Sequence, residues 1–219
     1  MPSQQHSAKR LVIVAGYALG AAALWAGLPE QIPPSWSASG LGTFWFGGPM
    51  VAFLLPTAIA ATDVLLRGLC ASHPADEASS RNVLAIYDGI MLRFMVFVMG
   101  VHVVVLAALL GLLRGREWAD QVVPVMLGLT MISIGNLLPR TRPNLAIGIR
   151  TRRTLSDRAL WMRTHRSAGY MMVAVGFVIV LSALAVPAPI GPGMILLAGP
   201  AALLGTCLLV RYCRSHSDA

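Results

Sequence analysis

Charged residues are scarce in this sequence: Asp, Glu, Lys and Arg together make up 12% of its 219 residues, about half the share of an ordinary soluble domain. Its three cysteines do not have the spacing of a disulfide framework or a metal site. The nucleophile-elbow, zinc-protease and phosphate-loop motifs are also missing. We therefore expect no soluble domain, no metal and no other cofactor. An enzyme finds little support, although intramembrane enzymes do assemble sites from single residues on separate helices.

Apolar residues are abundant, at 56% of the chain, and they concentrate in six long runs. A helix of about 20 residues crosses a hydrocarbon core of ~30 Å, and continuous runs favour helices over a barrel. The sequence thus predicts an all-α, polytopic membrane protein with a single membrane domain over residues 1–219. A cleaved signal peptide is the alternative interpretation of the first run. The predicted spans are 11–28, 49–69, 88–113, 121–138, 168–187 and 191–211.

Basic residues lie almost entirely on one side of the predicted helices. Of the 17 Lys and Arg residues, only Arg114 and Arg116 fall on the opposite side. The positive-inside rule therefore places both termini in the cytoplasm, together with a long basic connection, residues 139–167, between helices 4 and 5. The net charge of +8 is then explained by an anionic leaflet, so it gives no support for direct nucleic-acid binding.

The most distinctive sequence lies at this connection. Residues 135–166, the signature segment, read GNLLPRTRPNLAIGIRTRRTLSDRALWMRTHR and contain eight arginines. Gly148 is expected to adopt a backbone conformation closed to other residues. Residues 154–157 resemble a capping box, which predicts an interfacial helix from about residue 155 into the fifth span.

Three arginines of the signature segment, Arg140, Arg142 and Arg150, are suited to a phosphate or carboxylate clamp with the backbone amides near Gly148. Guanidinium groups bind such anions through two parallel hydrogen bonds. The alternative interpretation is that the arginines only fix the topology and contact lipid headgroups. That interpretation is favoured for Arg152, Arg153 and Arg158.

Ionisable residues inside the predicted spans indicate a second polar region. Asp63 and Arg67 are four residues apart and are expected to pair on one helix face. Asp88 and Arg93 enter the third span from the same side, and Asn136 lies at a matching depth on the fourth. Such residues are functional candidates in a membrane, although structural salt bridges that neutralise each other are the alternative.

A lone histidine, His102, lies near the middle of the third span. We expect it to be a hydrogen-bond partner between helices rather than a proton relay or a metal ligand.

The signature segment resembles the signature of the SdpI family, the membrane immunity proteins for a bacterial killing-factor peptide. Upstream, the pattern Leu28-Pro29-x-x-Ile32-Pro33-x-x-Trp36-x-x-x-Gly40 is similar to the small N-terminal domain of unknown function that accompanies this family. The resemblance implies a binding role for a set of residues in the signature segment. They are Asn136, Pro139, Arg140, Arg142, Pro143, Asn144, Gly148, Ile149, Arg150, Thr151, Thr154, Trp161, Thr164, His165 and Arg166.

The resemblance further implies a protein of the bacterial plasma (inner) membrane that protects the cell against a membrane-active peptide toxin. Its expected partners are membrane lipid, the toxin peptide and a cytoplasmic regulator docked at the basic face; the oligomeric state is not indicated. A second class of function also fits the residues, namely a small transporter or lipid-handling enzyme with a cytoplasm-facing polar cavity. That protein would hold an anionic headgroup with Asp63, Arg67, Asp88, Arg93 and the arginines.

Overall fold

A computed structural model describes residues 2–29, 48–71, 77–113, 117–143 and 148–185. The regular elements in these ranges are helical, as predicted. They are α1 (Pro2–Trp25), α2 (Gly48–Ala71), α3 (Glu77–Leu109), α4 (Glu117–Gly135), a 3-10 turn (Leu138–Arg140), α5 (Arg152–Ser156) and α6 (Arg158–Ala185).

Five helices are long and apolar enough to cross a membrane, and they correspond to the first five predicted spans. The multi-pass architecture is therefore confirmed for these five. The predicted sixth span, 191–211, and residues 30–40 of the upstream motif lie outside the described residues. The five observed spans are Gln4–Trp25, Met50–Gly68, Leu84–Leu109, Gln121–Arg140 and Arg158–Ala185.

The helices begin earlier than the predicted spans, most clearly α1, α3 and α6. Helix α1 starts at Pro2 and includes Lys9, because buried carboxylates neutralise this lysine. Helix α3 starts at Glu77, since its polar first turns extend the helix beyond the apolar run. Helix α6 starts at Arg158, ten residues before the predicted fifth span and close to residue 155, where a helix leading into that span was expected.

Helices α1, α2 and α3 pack against one another as a three-helix group. Small residues bring α1 and α2 close together: a Cβ placed at Gly20 would lie 3.0 Å from the carbonyl carbon of Ala52. A buried cluster fills the space between α2 and α3, with partly buried residues of α1 packed against it. It consists of Ile59, Tyr87, Met91, Met95 and Met99.

Among the described helices, α4 and α6 make the most extensive contact, and glycines allow their backbones to approach closely. A Cβ at Gly128 would lie 2.6 Å from the carbonyl oxygen of Gly176, and one at Gly135 would lie 2.8 Å from that of Gly169. The two glycines on each helix are seven residues apart, and they pair in opposite order. A stripe of small residues therefore lines the contact between these antiparallel helices. In a membrane, such stripes drive helix association through close backbone packing.

The helix ends meet so that the two predicted polar regions share one end of the bundle. A Cβ at Gly89 near the start of α3 would lie 3.4 Å from Leu137, just after α4, and 3.9 Å from the Gln5 side chain of α1. The 3-10 turn and α5 pack against the first turns of α6 at this same end. We call it the basic end.

Candidate functional site

The buried charges of α1, α2 and α3 form a network centred on Lys9, whose side chain is only 1% exposed. The Lys9 Nζ atom donates to Asp63 Oδ1 and to Asp88 Oδ1, both at 2.7 Å. Arg67 donates from Nη2 to the same oxygen of Asp88. Two cations thus neutralise two carboxylates, and each of the three helices contributes at least one charged group.

Tyr87 completes this ion network. Its hydroxyl donates to Asp63 Oδ1 at 2.8 Å, and its ring lies 5.0 Å from Lys9 Nζ and 5.8 Å from Arg67 Cζ. Buried ions need such additional hydrogen bonds and ring contacts, because desolvation otherwise outweighs the attraction between the ions.

The expected pairing of Asp63 with Arg67 is wrong. Asp63 binds Lys9 and Tyr87, whereas Arg67 reaches across to Asp88 on α3. Sequence reasoning missed Lys9, because a lysine directly before an apolar run has the pattern of a membrane anchor, and only the tertiary fold brings it to Asp63 and Asp88.

Asn136 was expected at the depth of this network. It is exposed in the turn after α4, directly before Leu137, which lies beside Gly89 of α3.

Arg93 belongs to a different contact. Its Nε donates to Ser133 Oγ of α4 at 2.6 Å, and its Nη1 donates to the Gly89 carbonyl one turn earlier, at 2.8 Å. It makes no ion pair with any residue in the described ranges. Arg93 therefore ties α3 to α4 while its charge stays without a counterion there.

The His102 ring is fully buried in α3. Neither ring nitrogen makes a hydrogen bond within the described part of the chain. No group of three or more His, Cys, Asp or Glu side chains is placed to hold a metal ion there either.

The interior of the signature segment is made of neutral polar groups. The Trp161 and His165 rings of α6 stack with centroids 4.0 Å apart, and both side chains are fully buried. Trp161 Nε1 donates to the carbonyl and the hydroxyl oxygen of Thr141, each at 3.2 Å. The stacked pair thereby holds the chain that leaves α4 against the start of α6.

His165 also fixes the next stretch of the chain. Its Nε2 accepts the Ile149 N–H at 3.0 Å, so Nδ1 carries the ring proton and donates to the Trp161 carbonyl at 2.9 Å. The predicted special conformation of Gly148 is confirmed, with φ of +109°. A Cβ at Gly148 would collide with the His165 ring, so glycine is required for both conformation and space.

Two threonines start α5. Thr154 N–H donates to Thr151 Oγ1 at 3.1 Å, while Thr151 N–H donates to Thr154 Oγ1 at 2.8 Å. The buried Thr154 hydroxyl also contacts the Ile149 carbonyl oxygen at 2.9 Å.

The capping box therefore joins Thr151 to Thr154, and the one predicted at 154–157 is wrong. Asp157 instead begins α6, because its Oδ1 accepts the N–H groups of Ala159 and Leu160.

All eight arginines of the signature segment are exposed, in contrast to its buried neutral core. Of the other predicted site residues, Thr164 is buried and Pro143 is half-buried. Pro139 packs against Gly169, and Asn144 lies outside the described residues. The exposed arginines are Arg140, Arg142, Arg150, Arg152, Arg153, Arg158, Arg163 and Arg166.

The predicted anion clamp has one less donor than expected, because the Ile149 amide is engaged by His165. Its three arginines lie on the surface, and their role as a clamp stays a prediction.

Comparison with known proteins bears on this segment. No curated protein and no solved structure shows significant similarity to the chain. Residues 140–210 match the family model described as the SdpI/YfhL protein family. The match begins at Arg140, at the end of the 3-10 turn, and covers α5 and α6. The resemblance of the signature segment is thus confirmed from Arg140 onward, and about a third of this multi-pass membrane protein, residues 140–210, is similar to the SdpI/YfhL protein family.

Proposed function

We propose that the protein is a membrane immunity protein of the SdpI kind, which protects a bacterial cell from a membrane-active peptide toxin. It resides in the plasma membrane with its basic end in the cytoplasm, where it docks an acidic regulator. The observation that carries the proposal is the family match over residues 140–210, which includes α5 and the arginine-bearing start of α6.

The build of the signature segment supports a docking role. Buried groups such as Trp161, His165 and Thr154 fix the backbone from within. Asp157 is the only acidic residue among residues 135–166, and its carboxylate is bound to the start of α6. The outer surface is therefore strongly basic and rests on a fixed scaffold, which favours a partner with complementary acidic groups.

The ion network counts against the transporter or lipid-handling enzyme. That alternative requires cations able to hold an anionic headgroup in a polar cavity. Lys9 and Arg67 are already bound to carboxylates, and Lys9 is buried. A network whose charges cancel holds helices together and offers no net charge to a substrate.

Survival of a toxin-sensitive bacterium tests immunity. The full chain, expressed in that host, should raise survival in the presence of the cognate peptide, compared with the same host carrying an empty vector. An equal amount of protein in the membrane must be shown for every variant. No gain in survival would contradict the proposal.

Matched triple variants test whether the arginines do more than fix topology. Changing Arg140, Arg142 and Arg150 to Lys keeps the positive charge but removes the bidentate guanidinium forks. The control changes Arg152, Arg153 and Arg158 to Lys. If the first set recognises a partner, only the first triple variant loses protection; if the arginines only orient the protein, both variants keep it.

Docking of an acidic partner can be measured separately. A fluorescent oligoglutamate peptide serves as the probe, and the full chain is held in nanodiscs of zwitterionic lipid. Binding should weaken as NaCl rises from 50 to about 500 mM, because salt screens exposed charges over a shorter distance. Binding that does not change with salt would contradict an electrostatic docking surface.

A further inference from the structure

A groove of about 390 Å³ runs between α3 and α4, and none of its lining residues belongs to the ion network. The groove is open on the side of the bundle: Val96 and Leu129 on its two walls are 55% and 54% exposed. Both helices belong to spans that are long and apolar enough to cross a membrane, so lipid is the expected neighbour of an exposed apolar wall there. Its lining consists of Leu92, Arg93 and Val96 of α3 and Leu129, Thr130 and Ser133 of α4.

Arg93 gives this groove a positive charge. The residue lies nine positions inside the span Leu84–Leu109, about 13 Å along the helix axis. A charge at such a position is unfavourable unless a counterion or water meets it. Its described partners, Ser133 and the Gly89 carbonyl, are neutral, and the carboxylates of Asp63 and Asp88 are bound by Lys9 and Arg67.

The polarity of the groove has a direction. Arg93 Nη1 donates to the carbonyl of Gly89, one turn nearer the basic end, so the guanidinium is drawn toward that end. Val96 lies one turn deeper on α3, and Leu129 lies one turn deeper on α4 than Ser133. Thr130 bonds its hydroxyl to the Met126 carbonyl of its own helix, so that hydroxyl is satisfied. The groove is therefore polar toward the basic end and apolar toward the membrane centre.

We propose that this groove binds one anionic phospholipid from the leaflet at the basic end. Its phosphate lies against the guanidinium of Arg93, and one acyl chain descends along Val96 and Leu129. An anionic lipid is favoured over a zwitterionic one because only the former carries a net negative charge to neutralise Arg93. This site does not depend on the proposed immunity function.

Native mass spectrometry of the full chain in a neutral detergent tests the site. The protein is titrated with phosphatidylglycerol and, separately, with phosphatidylcholine of the same acyl chains. One phosphatidylglycerol should be retained in preference to phosphatidylcholine. Arg93→Gln should weaken that binding about tenfold, as expected for loss of a charge-assisted hydrogen bond. Equal retention of both lipids would overturn the proposal.

A second pair of variants separates the groove from the exposed arginines, which also attract anionic lipid. Val96→Trp fills the groove without changing the charge and should abolish the preferred binding. Val103→Trp, at an exposed position two turns deeper on the same helix, is the matched control and should leave it unchanged. Retention that is equal in these two variants would place the lipid elsewhere and overturn the proposal.

Two further measurements exclude other occupants. Soluble glycerol phosphate should not displace the lipid, because it lacks the acyl chain; displacement at millimolar concentration would show a site for a free anion instead. A photo-crosslinking residue at position 96 should capture phosphatidylglycerol in vesicles that contain it. Capture of residues 191–211, the predicted sixth span, would show that the chain itself covers the groove and would overturn the proposal.

Discussion

The two polar regions at the basic end use charge in opposite ways. In the ion network, Lys9 and two carboxylates point inward, and together with Arg67 their charges cancel between helices. In the signature segment, the buried polar groups are neutral rings and hydroxyls, and the arginines point outward. Removing a partner inside the bundle leaves a buried ion, whereas changing an exposed arginine does not. We therefore expect the ion network to matter more for stability than the exposed arginines do.

The largest effect is expected at Lys9. Lys9→Met leaves the buried carboxylate of Asp88 and the partly buried one of Asp63 with one cation, and it should lower the free energy of unfolding by about 3–5 kcal/mol. Unfolding of the detergent-solubilised protein, followed by circular dichroism, measures the loss. Arg10→Met is the matched control, because Arg10 is the exposed neighbour and should change stability by no more than about 0.5 kcal/mol.

The double variant Lys9→Met/Asp63→Asn sharpens this result. It removes one cation and one carboxylate, so the remaining pair of Arg67 and Asp88 is again neutral. Part of the stability should return relative to Lys9→Met alone. If Lys9→Met were no more harmful than Arg10→Met, the ion network would not hold the helices together.

A smaller effect is expected at Gly148. Gly148→Ala meets both a positive φ and the His165 ring, whereas Gly27→Ala meets a positive φ alone, with no atom within 4 Å. The first substitution should therefore be more harmful than the second by about 1–3 kcal/mol. Hydrogen exchange of the Ile149 amide, which bonds to His165, should accelerate accordingly. Equal stability losses in the two variants would show that the His165 ring can move away.

The next effect concerns Thr154. Thr154→Val removes a buried hydroxyl that joins Thr151 to the Ile149 carbonyl, and it should cost about 1–2 kcal/mol. Faster hydrogen exchange in residues 148–156 would report the loss. In Thr62→Val the lost hydroxyl bonds only to the Ala58 carbonyl of its own helix, so the change should stay within about 0.5 kcal/mol. Similar losses in both would contradict the capping role.

The smallest effect is expected at the surface arginines. Arg152→Gln and Arg153→Gln should each change the free energy of unfolding by less than about 0.5 kcal/mol, because both side chains are exposed. Thermal unfolding in detergent measures the change. If either variant lowered the free energy of unfolding by more than about 1 kcal/mol, the exposed arginines would not differ from the ion network in the way described above.

Local patterns predicted the helical class and five of the spans, because an apolar run of 18 or more residues is typical of a membrane-spanning helix. They also predicted the special conformation of Gly148. They failed where a distant partner decides the outcome. Asp63 and Arg67 are ideally spaced for a pair within one helix, yet Lys9 and Asp88 on neighbouring helices take their place.

The signature segment shows a second limit. Residues that hold a loop together and residues that meet a partner give the same kind of sequence motif. Trp161, His165 and Thr154 were predicted to belong to a binding segment, and their side chains contact the backbone of that segment. Burial alone separates these residues from the exposed arginines, and burial depends on how the segment folds back on α6.

The contact between Gly135 and Gly169 has a consequence for the signature segment that lies between them. Direct backbone packing in the bilayer fixes both ends of this segment at one point. Bringing together the ends of a free chain of roughly 30 residues has an entropic cost on the order of 3 kcal/mol. Here the packing of α4 against α6 offsets that cost. The segment can therefore stay ordered with only a few buried side chains. Cut from α4 and α6, the same arginine-rich sequence has too small an apolar core to fold by itself.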